Sequence, residues 1–215
     1  MIELQTLRDD YLRAQLEGDR AAALAVVHAA LKGGLTVPRV QLEIVQIAQY
    51  EIGRLWETNA IGVSTEHQAT AISQLALASL YDQLPREPSN GKRVLVSCVE
   101  GELHDMGSRI AADFLEMSGF AVRFLGASVP PDSLTQRALE FRPDLIALSA
   151  TMSFHVKALR EAISQIRASS LGAVPILVGG LAVTREFAHS QGLDIQGFGA
   201  DAHELVAEAR RITSA

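Results

Sequence analysis

Apolar residues in the first part of the chain recur at steps of three and four positions, which is the spacing of one face of an α-helix. Leu4, Leu7, Tyr11 and Ala14 begin this pattern, and it returns after each interruption by glycine or polar residues. Four helical segments are indicated, with short connections between them. Because short connections favour antiparallel neighbours, the pattern predicts an N-terminal four-helix bundle over residues 1–82.

The hydrophobic pattern changes after residues 83–90, which carry two prolines among polar and charged residues and are typical of a domain linker. From residue 91 to residue 215, short apolar runs alternate with helical segments. This alternation is typical of a parallel sheet with helices on both faces. We therefore predict an α/β domain with a flavodoxin-like or Rossmann-like, doubly wound, five-stranded parallel sheet. Its strands are expected at Arg93–Val99, Ala121–Leu125, Leu145–Ala150, Pro175–Val178 and Asp194–Gly197.

Composition and charge narrow the range of partners. The net charge of −6 provides no basic surplus for a phosphate backbone, so direct nucleic-acid binding is not expected. No uncharged apolar stretch approaches the roughly eighteen residues of a membrane helix, and the amino terminus lacks the pattern of a signal peptide. The single cysteine, Cys98, lies in an apolar run and does not point to an oxidising compartment. We expect a soluble, cytoplasmic protein with no membrane partner.

The loop after the first predicted strand carries a candidate metal ligand. Ligands of doubly wound sheets bind beyond the carboxyl ends of the strands, where the strand order reverses. His104 lies in that loop, and Glu102 is a suitable partner for its second ring nitrogen. Carboxylate support of this kind orients metal-bound imidazoles. Gly107 lets the backbone approach a bulky ligand closely. This segment alone is equally compatible with a loop histidine that binds no metal.

Two further segments lie at the ends of neighbouring predicted strands. Ser149-Ala150-Thr151 follows Gly107 after 41 residues, and Gly179-Gly180 follows Thr151 after 27 residues. Together with the His104 loop, these segments resemble the Asp-x-His-x-x-Gly, Ser-x-Thr and Gly-Gly signature of cobalamin-binding domains that hold the cofactor with its own base displaced. The match covers roughly residues 91–215.

The resemblance implies a cofactor and a role for each matching residue. His104 would replace the displaced base as the lower ligand of the cobalt, Ser149 and Thr151 would contact the displaced tail, and Gly179-Gly180 would leave room for it. The cofactor is expected to be adenosylcobalamin or methylcobalamin. Most members have aspartate where this chain has Glu102, but the longer carboxylate can still reach the imidazole. The same resemblance assigns three further residues to the cofactor: Asp105, Gly107 and Gly199.

The helical half carries a second resemblance. Trp56, nine intervening residues and then Glu66-His67 are similar to the Trp-x9-Glu-His pattern of CarH-type light sensors of the MerR class. The resemblance implies that these three residues lie over the upper face of the cofactor, where an indole shields the cobalt–carbon bond and a carboxylate accepts hydrogen bonds from ribose hydroxyls. The alternative is structural, with Trp56 packed in the core and Glu66 favoured by the helix dipole.

The chain departs from those sensors in two respects. Glu57 occupies the position where they have a histidine that captures cobalt after illumination, and a carboxylate is a poorer ligand for that arrangement. The first predicted helix begins close to Met1, so we do not expect an amino-terminal DNA-binding module of the kind those sensors carry. Any regulation is therefore expected to act through a partner protein or through self-association.

Three functions follow from these patterns. We place a cobalamin-dependent light sensor first, because of Trp56 and Glu66-His67. A corrinoid carrier of a methyltransferase system is the alternative, and a cobalamin store is the third. No catalytic dyad or phosphate-binding glycine loop is present in the sequence, so an enzyme is not expected.

Two of the remaining histidines carry expectations of their own. His28 lies between Leu24, Val27 and Leu31 and is predicted to be packed. His155 follows the Ser149 segment and is predicted either to line the tail pocket or to begin a helix.

Overall fold

The computed structural model describes residues 3–190 and 192–214. The chain divides into two compact units between Pro85 and Arg86. The sequence pattern also predicts a helix near residues 184–191, of which residue 191 lies outside the described residues.

The first unit is helical, as the three-and-four spacing of apolar residues predicts. Gly18, in the left-handed conformation with φ of 75°, ends the first helix. The carboxylate of Asp19 caps the second helix by accepting a hydrogen bond from the Ala22 N–H. The helices are α1 (Leu4–Glu17), α2 (Arg20–Lys32), α3 (Val37–Val40), a π-helical segment (Gln41–Gln46), α4 (Ile47–Glu57) and α5 (Val63–Leu80).

The third helical stretch of the first unit is not a regular α-helix throughout. Helix α3 continues without a break into the π-helical segment Gln41–Gln46 and then into α4. The wider π-helical segment therefore lies between two α-helical parts. A π-helical turn adds a residue to the repeat and therefore rotates the side chains that follow it. A regular spacing of three and four does not predict this segment.

The prediction that His28 is packed is wrong, because its side chain is exposed. The buried residues of α2 are Ala23, Val27 and Ala30. His28 follows Val27 directly and is rotated by about 100° around the helix axis, which takes it past the edge of the buried face.

The second unit contains a five-stranded sheet in which all the strands are parallel, in the order β2-β1-β3-β4-β5. The strands are β1 (Arg93–Cys98), β2 (Ala121–Phe124), β3 (Leu145–Ser149), β4 (Ile176–Gly179) and β5 (Gly197–Gly199). The helices are α6 (Met106–Met117), α7 (Pro131–Phe141), α8 (Val156–Ala168), α9 (Arg185–Ser190) and α10 (Ala202–Thr213).

Helices cover both faces of this sheet. On one face, Leu115 of α6 and Leu205 of α10 pack against strand residues such as Val96. On the other face, Leu134 of α7 and Ile163 of α8 pack against a second set of strand residues. The α/β class and the doubly wound parallel sheet are confirmed.

The fifth strand lies later in the chain than predicted. The backbone of Asp194 accepts a hydrogen bond from the Arg167 guanidinium, so this residue is held by a side chain and not by the sheet. Pairing with β4 places Gly197 opposite Leu177 and Gly199 opposite Gly179. The prediction of a strand at Asp194–Gly197 is therefore wrong in its bounds.

Part of the predicted linker is fixed to the second unit. The backbone N–H of Glu87 donates to Met117 O at 2.9 Å, and the N–H of Asn90 donates to Gly119 O at 2.9 Å. The Glu87 carboxylate also pairs with Arg210 at 2.7 Å. These contacts tie the residues before β1 to the turn after α6 and to α10.

The strand order defines where a ligand binds. From β1 the chain continues to β2 on one side, whereas β3, β4 and β5 lie on the other side of β1. The loops after β1 and β3 therefore border the switch point of the sheet, at its carboxyl edge. Among the described residues, no helix combines the length and apolar character that crossing a lipid bilayer requires.

Candidate functional site

A buried carboxylate joins the two loops at the switch point. Glu102, in the loop after β1, has no exposed surface. Its Oε1 accepts hydrogen bonds from the backbone N–H of His104 at 3.0 Å and from His104 Nδ1 at 2.5 Å. Its Oε2 accepts from the backbone N–H groups of Thr151 and Met152 at 2.7 and 3.0 Å, and from His155 Nδ1 at 2.9 Å. Five donors from two loops therefore converge on one side chain.

The charge of Glu102 follows from these contacts. Burial by itself would raise the pKa of the carboxyl group, because it penalises the charged form. The hydrogen bonds from the side chain and backbone of His104, from His155 and from Thr151 outweigh burial and hold the pKa of Glu102 well below its usual range. Glu102 is therefore ionised at neutral pH and can only accept hydrogen bonds.

An ionised acceptor at Nδ1 determines the tautomer of His104. Nδ1 must carry the proton that it donates to Glu102, so in the neutral ring the lone pair lies on Nε2. The His104 side chain is 53% exposed, at the carboxyl edge of the sheet. This is the arrangement of a metal-binding imidazole with a carboxylate behind it. The contact between Glu102 and His104 is the one that the sequence predicts.

His155 is the member of this cluster that the sequence does not predict. It begins α8 after a short 3-10 turn, which was one of its two expected roles, but its ring also shares the Glu102 carboxylate with His104. Only its position in the loop after β3, four residues beyond Thr151, suggests this contact. Its side chain is mostly buried, whereas that of His104 is not.

The predicted glycines divide into two kinds. Gly180 has a φ of +101°, and a Cβ there would lie 2.3 Å from the Ala150 carbonyl oxygen. A Cβ on Gly179 would approach Gly199 O to 2.9 Å, and one on Gly199 would meet Leu205 at 3.0 Å. Packing of the protein itself therefore requires these three glycines. Gly107 differs, because no described atom lies within 4 Å of its Cβ position and its φ is not positive.

Two other predicted residues, Ser149 and Asp105, make backbone contacts at the end of β3 and in the loop after β1. Ser149 is the last residue of β3, and its carbonyl accepts a hydrogen bond from the Val99 N–H at 3.2 Å. The Asp105 carbonyl accepts from Ser108 Oγ at 2.8 Å at the start of α6. Ser108 also contacts Cys98, and burial raises the pKa of the Cys98 thiol to about 11.

Three large apolar side chains are exposed at the same edge of the sheet. Leu103 precedes His104, Phe154 packs edge-on against the His155 ring at a centroid distance of 4.4 Å, and Leu181 follows Gly180. Their exposed fractions are 72%, 68% and 73%, respectively. An imidazole lone pair bordered by exposed apolar side chains suits a metal held in a large, flat, largely apolar cofactor.

The predicted upper-face residues lie at one end of the first unit. Trp56, which is 40% exposed, is in the last turn of α4, and Glu66 and His67 are in the first turn of α5. The Glu66 carboxylate accepts from Thr70 Oγ1 at 2.8 Å and contacts His67 Nδ1 at 2.5 Å. The structure therefore brings Glu66 and His67 together in this unit, and brings Glu102, His104, Thr151 and His155 together in the other.

The second unit thus has the fold and donor set of a protein that offers one imidazole to a metal-bearing cofactor. Comparison with known families agrees with this class. Residues 92–207 match a family described as the B12 binding domain, and residues 7–81 match a second family with the same description. The chain belongs to the family of B12-binding-domain proteins, and its cofactor is cobalamin with its cobalt.

Individual relatives are corrinoid proteins. The chain is 28% identical to dimethylamine corrinoid protein 1 of Methanosarcina acetivorans over 194 residues, which cover 89% of this chain and 90% of that protein. Its fold is similar to that of the monomethylamine corrinoid protein of Methanosarcina barkeri, with a TM-score of 0.86, 17% identity and coverage of 98% and 100%. A chain of the methanol:cobalamin methyltransferase complex of the same organism matches with a TM-score of 0.54, 20% identity and coverage of 98% and 80%.

Proposed function

We propose that the chain is a corrinoid carrier of a methyltransferase system. It holds methylcobalamin with His104 as the lower ligand of the cobalt, and it presents the methyl group to partner methyltransferases. The observation that carries this proposal is the His104 ring, whose Nδ1 donates to an ionised and buried Glu102. Similarity to a dimethylamine corrinoid protein along 89% of the chain supports the choice of a carrier.

The residues around His104 take distinct roles in this proposal. Cobalamin, held through His104, would supply a cobalt able to carry a methyl group. Glu102 keeps the proton on Nδ1 of His104 and so keeps Nε2 directed to the metal. Ser149 and Thr151 contact the displaced tail of the cofactor. The chain itself is a carrier and not an enzyme, and the catalysts are its partners.

The remaining predicted residues complete the proposed site. Asp105, Gly107 and Gly199 border the cofactor, and Gly179 and Gly180, which the packing of the protein also requires, leave room for its tail. We also assign Trp56 and the Glu66-His67 pair of the first unit to cofactor binding. We propose these roles on the resemblance of the sequence motifs together with the exposed positions of Trp56 and His67.

A light sensor is the second candidate, so the order of the two hypotheses is the reverse of the order that the sequence suggested. The observation that favours a sensor is the half-exposed Trp56 at the end of the bundle that also bears Glu66 and His67. In a sensor, regulation would act through a partner protein or self-association. Glu57 offers no imidazole to the cobalt, so an illuminated form locked through that residue is not expected.

The carrier proposal predicts a histidine-dependent spectrum. The protein loaded with methylcobalamin in darkness should show the absorption of cobalamin bound through an imidazole, and His104→Ala should lose that absorption. His28→Ala, which removes an exposed histidine of the other unit, is the matched control and should retain it. An unchanged spectrum in the His104→Ala variant would remove His104 from its proposed role.

Methyl transfer and illumination distinguish the two candidates. A carrier should donate its methyl group to a partner methyltransferase, and the dark and illuminated samples should elute identically in size-exclusion chromatography. A change in oligomer size after green light, without any methyl transfer, would instead support the sensor.

A further inference from the structure

The face of α5 that is directed into the bundle changes character along the helix. Glu66, Thr70 and Ser73 follow one another at steps of four and three residues, which places them on one face. Leu77 and Leu80 continue the buried stripe in the second half of the helix. This row of residues is therefore polar near the end that bears Glu66 and apolar at the other end, and the buried Ala69 and Ile72 lie beside its polar half.

The polar half is connected by hydrogen bonds that begin in the core. Ser73 is fully buried, and its hydroxyl meets Tyr11 OH at 3.3 Å and accepts from Gln15 Nε2 at 2.8 Å. Gln15 is also fully buried and donates to the Ala69 carbonyl at 3.1 Å. Burial raises the pKa of Tyr11 to about 12, so its phenol keeps its proton at neutral pH.

A second pair of bonds leads from the core to the Glu66 carboxylate. Gln49 of α4 donates from Nε2 to Thr70 Oγ1 at 2.6 Å. Thr70 Oγ1 in turn donates to Glu66 Oε1 at 2.8 Å. Because its single hydroxyl proton goes to Glu66, Thr70 must accept from Gln49, which gives the two bonds a fixed direction.

Stability of the bundle alone does not account for the polar side chains of Gln15, Thr70 and Ser73. Burying amide and hydroxyl groups removes their water, and the net gain from each intramolecular hydrogen bond is only about 1 kcal/mol. The Oε1 atom of Gln15 is buried and has no hydrogen-bond partner among the described residues. Replacing both partners of such a bond by apolar groups of the same shape is close to neutral or stabilising, so the bonds by themselves add little stability.

The bond between Gln49 and Thr70 joins the two helices whose ends carry the upper-face residues. Trp56 lies seven residues after Gln49, which places it two turns further along the same face of α4. Only residues 58–62 separate α4 from α5, so Trp56 and Glu66 lie at the same end of the bundle. The hydrogen bond between Gln49 and Thr70 therefore holds α4 and α5 together close to that end.

We propose that Gln49 and Thr70 are positioning residues that fix the Glu66 carboxylate at the end of the bundle that bears Trp56. This inference rests on the proposed function, in which Trp56, Glu66 and His67 take part in cofactor binding. Thr70 sets the direction of the carboxylate, and Gln49 sets the register of α4 against α5 so that the indole keeps its place beside it.

Removal of the Thr70 hydroxyl tests the proposal. Trp56 is the single tryptophan, so its fluorescence, which a bound corrin quenches, reports the binding of methylcobalamin at this end of the chain. Thr70→Val should weaken that binding about tenfold, comparable to Glu66→Gln, since a hydrogen bond to a charged group is lost in each case. The double variant should be no weaker than either single variant, because both changes remove one interaction.

Two controls separate positioning from a general loss of stability. Thr70→Ser keeps the hydroxyl and should restore wild-type affinity. Ser79→Ala removes another hydroxyl of α5, which bonds only locally to the Ala76 carbonyl among the contacts described, and should leave affinity unchanged. Thermal unfolding of each variant, measured in parallel, shows that the samples compared are folded.

Each outcome has a distinct meaning. Wild-type affinity in Thr70→Val, with weakened binding in Glu66→Gln, would overturn the positioning role and leave the carrier proposal intact. Additive losses in the double variant would also overturn it. Wild-type affinity in both single variants would remove this end of the bundle from cofactor binding. The spectrum of His104→Ala tests the carrier proposal independently, because His104 belongs to the second unit.

Discussion

At the scale of single residues, the site requires the ionised carboxylate of Glu102, and an uncharged side chain in its place would lose hydrogen bonds. All five of its hydrogen-bond partners are donors. Glutamine has one acceptor oxygen, and its NH₂ group would face donors that it cannot satisfy. In a site without exposed surface, such a mismatch is costly because water cannot replace the lost partner.

Glu102→Gln is therefore expected to lower the free energy of unfolding of the second unit by about 3 kcal/mol. It should also weaken the spectral signature of imidazole-bound cobalamin, since the orientation of His104 depends on this carboxylate. Urea denaturation followed by circular dichroism measures the first effect. Glu100→Gln is the matched control, because Glu100 lies two residues earlier in the same loop and is exposed. Equal stability of the two variants would contradict the importance of the convergent donors.

At the scale of elements, the glycines of two loops serve different needs. Gly180 begins the turn after β4 in the left-handed region, directly against the backbone of Ala150 after β3. Gly107 is in the first turn of α6 with ordinary helical geometry and an open Cβ position. The fold therefore explains why residue 180 is a glycine, but it does not explain why residue 107 is one.

Two alanine substitutions test this difference. Gly180→Ala should lower the free energy of unfolding by about 2–4 kcal/mol, because a Cβ is strained at positive φ and collides with a carbonyl oxygen. Gly107→Ala should raise it by about 0.5 kcal/mol but weaken methylcobalamin binding, if the backbone contacts the cofactor as proposed. Denaturation and fluorescence titration measure the two quantities. Undiminished binding by Gly107→Ala would place the cofactor away from the start of α6.

At the scale of the whole molecule, each unit has its own core. The two apolar clusters on the faces of the sheet contain residues from the second unit only. The backbone bonds of Glu87 and Asn90 also fasten the segment before β1 to that unit. The sheet and its helices therefore need no residue of the first unit to complete their interior.

A fragment that begins at Arg86 is accordingly expected to fold cooperatively and to bind methylcobalamin with the His104-dependent spectrum. Its affinity should be lower than that of the full chain, because Trp56 and Glu66 are absent. Absorption titrations of the fragment and the full chain provide the comparison. A fragment that is unfolded, or that binds as tightly as the full chain, would contradict this division of roles.

The sequence predicts most of the fold and the central contact of the site. Periodicity of apolar residues indicates the helices of the first unit, and the alternation of strand-length runs indicates the parallel sheet. The contact between Glu102 and His104 is also predictable, since two residues of one loop are held near each other by the chain itself. The bounds of β5 are harder to predict from the sequence, because pairing with β4 and the contact of Arg167 with Asp194 determine them.

Only the tertiary structure shows which distant side chains share a partner. His155 reaches Glu102 from 53 residues away because β1 and β3 are neighbours in the sheet. Gln49 meets Thr70 because α4 and α5 pack side by side across a short connection. The sequence by itself determined the local elements and the contacts within one loop, since these depend on neighbouring residues. The packing of elements decided the rest, because a long-range contact forms only where the fold brings two strand ends or two helix faces together.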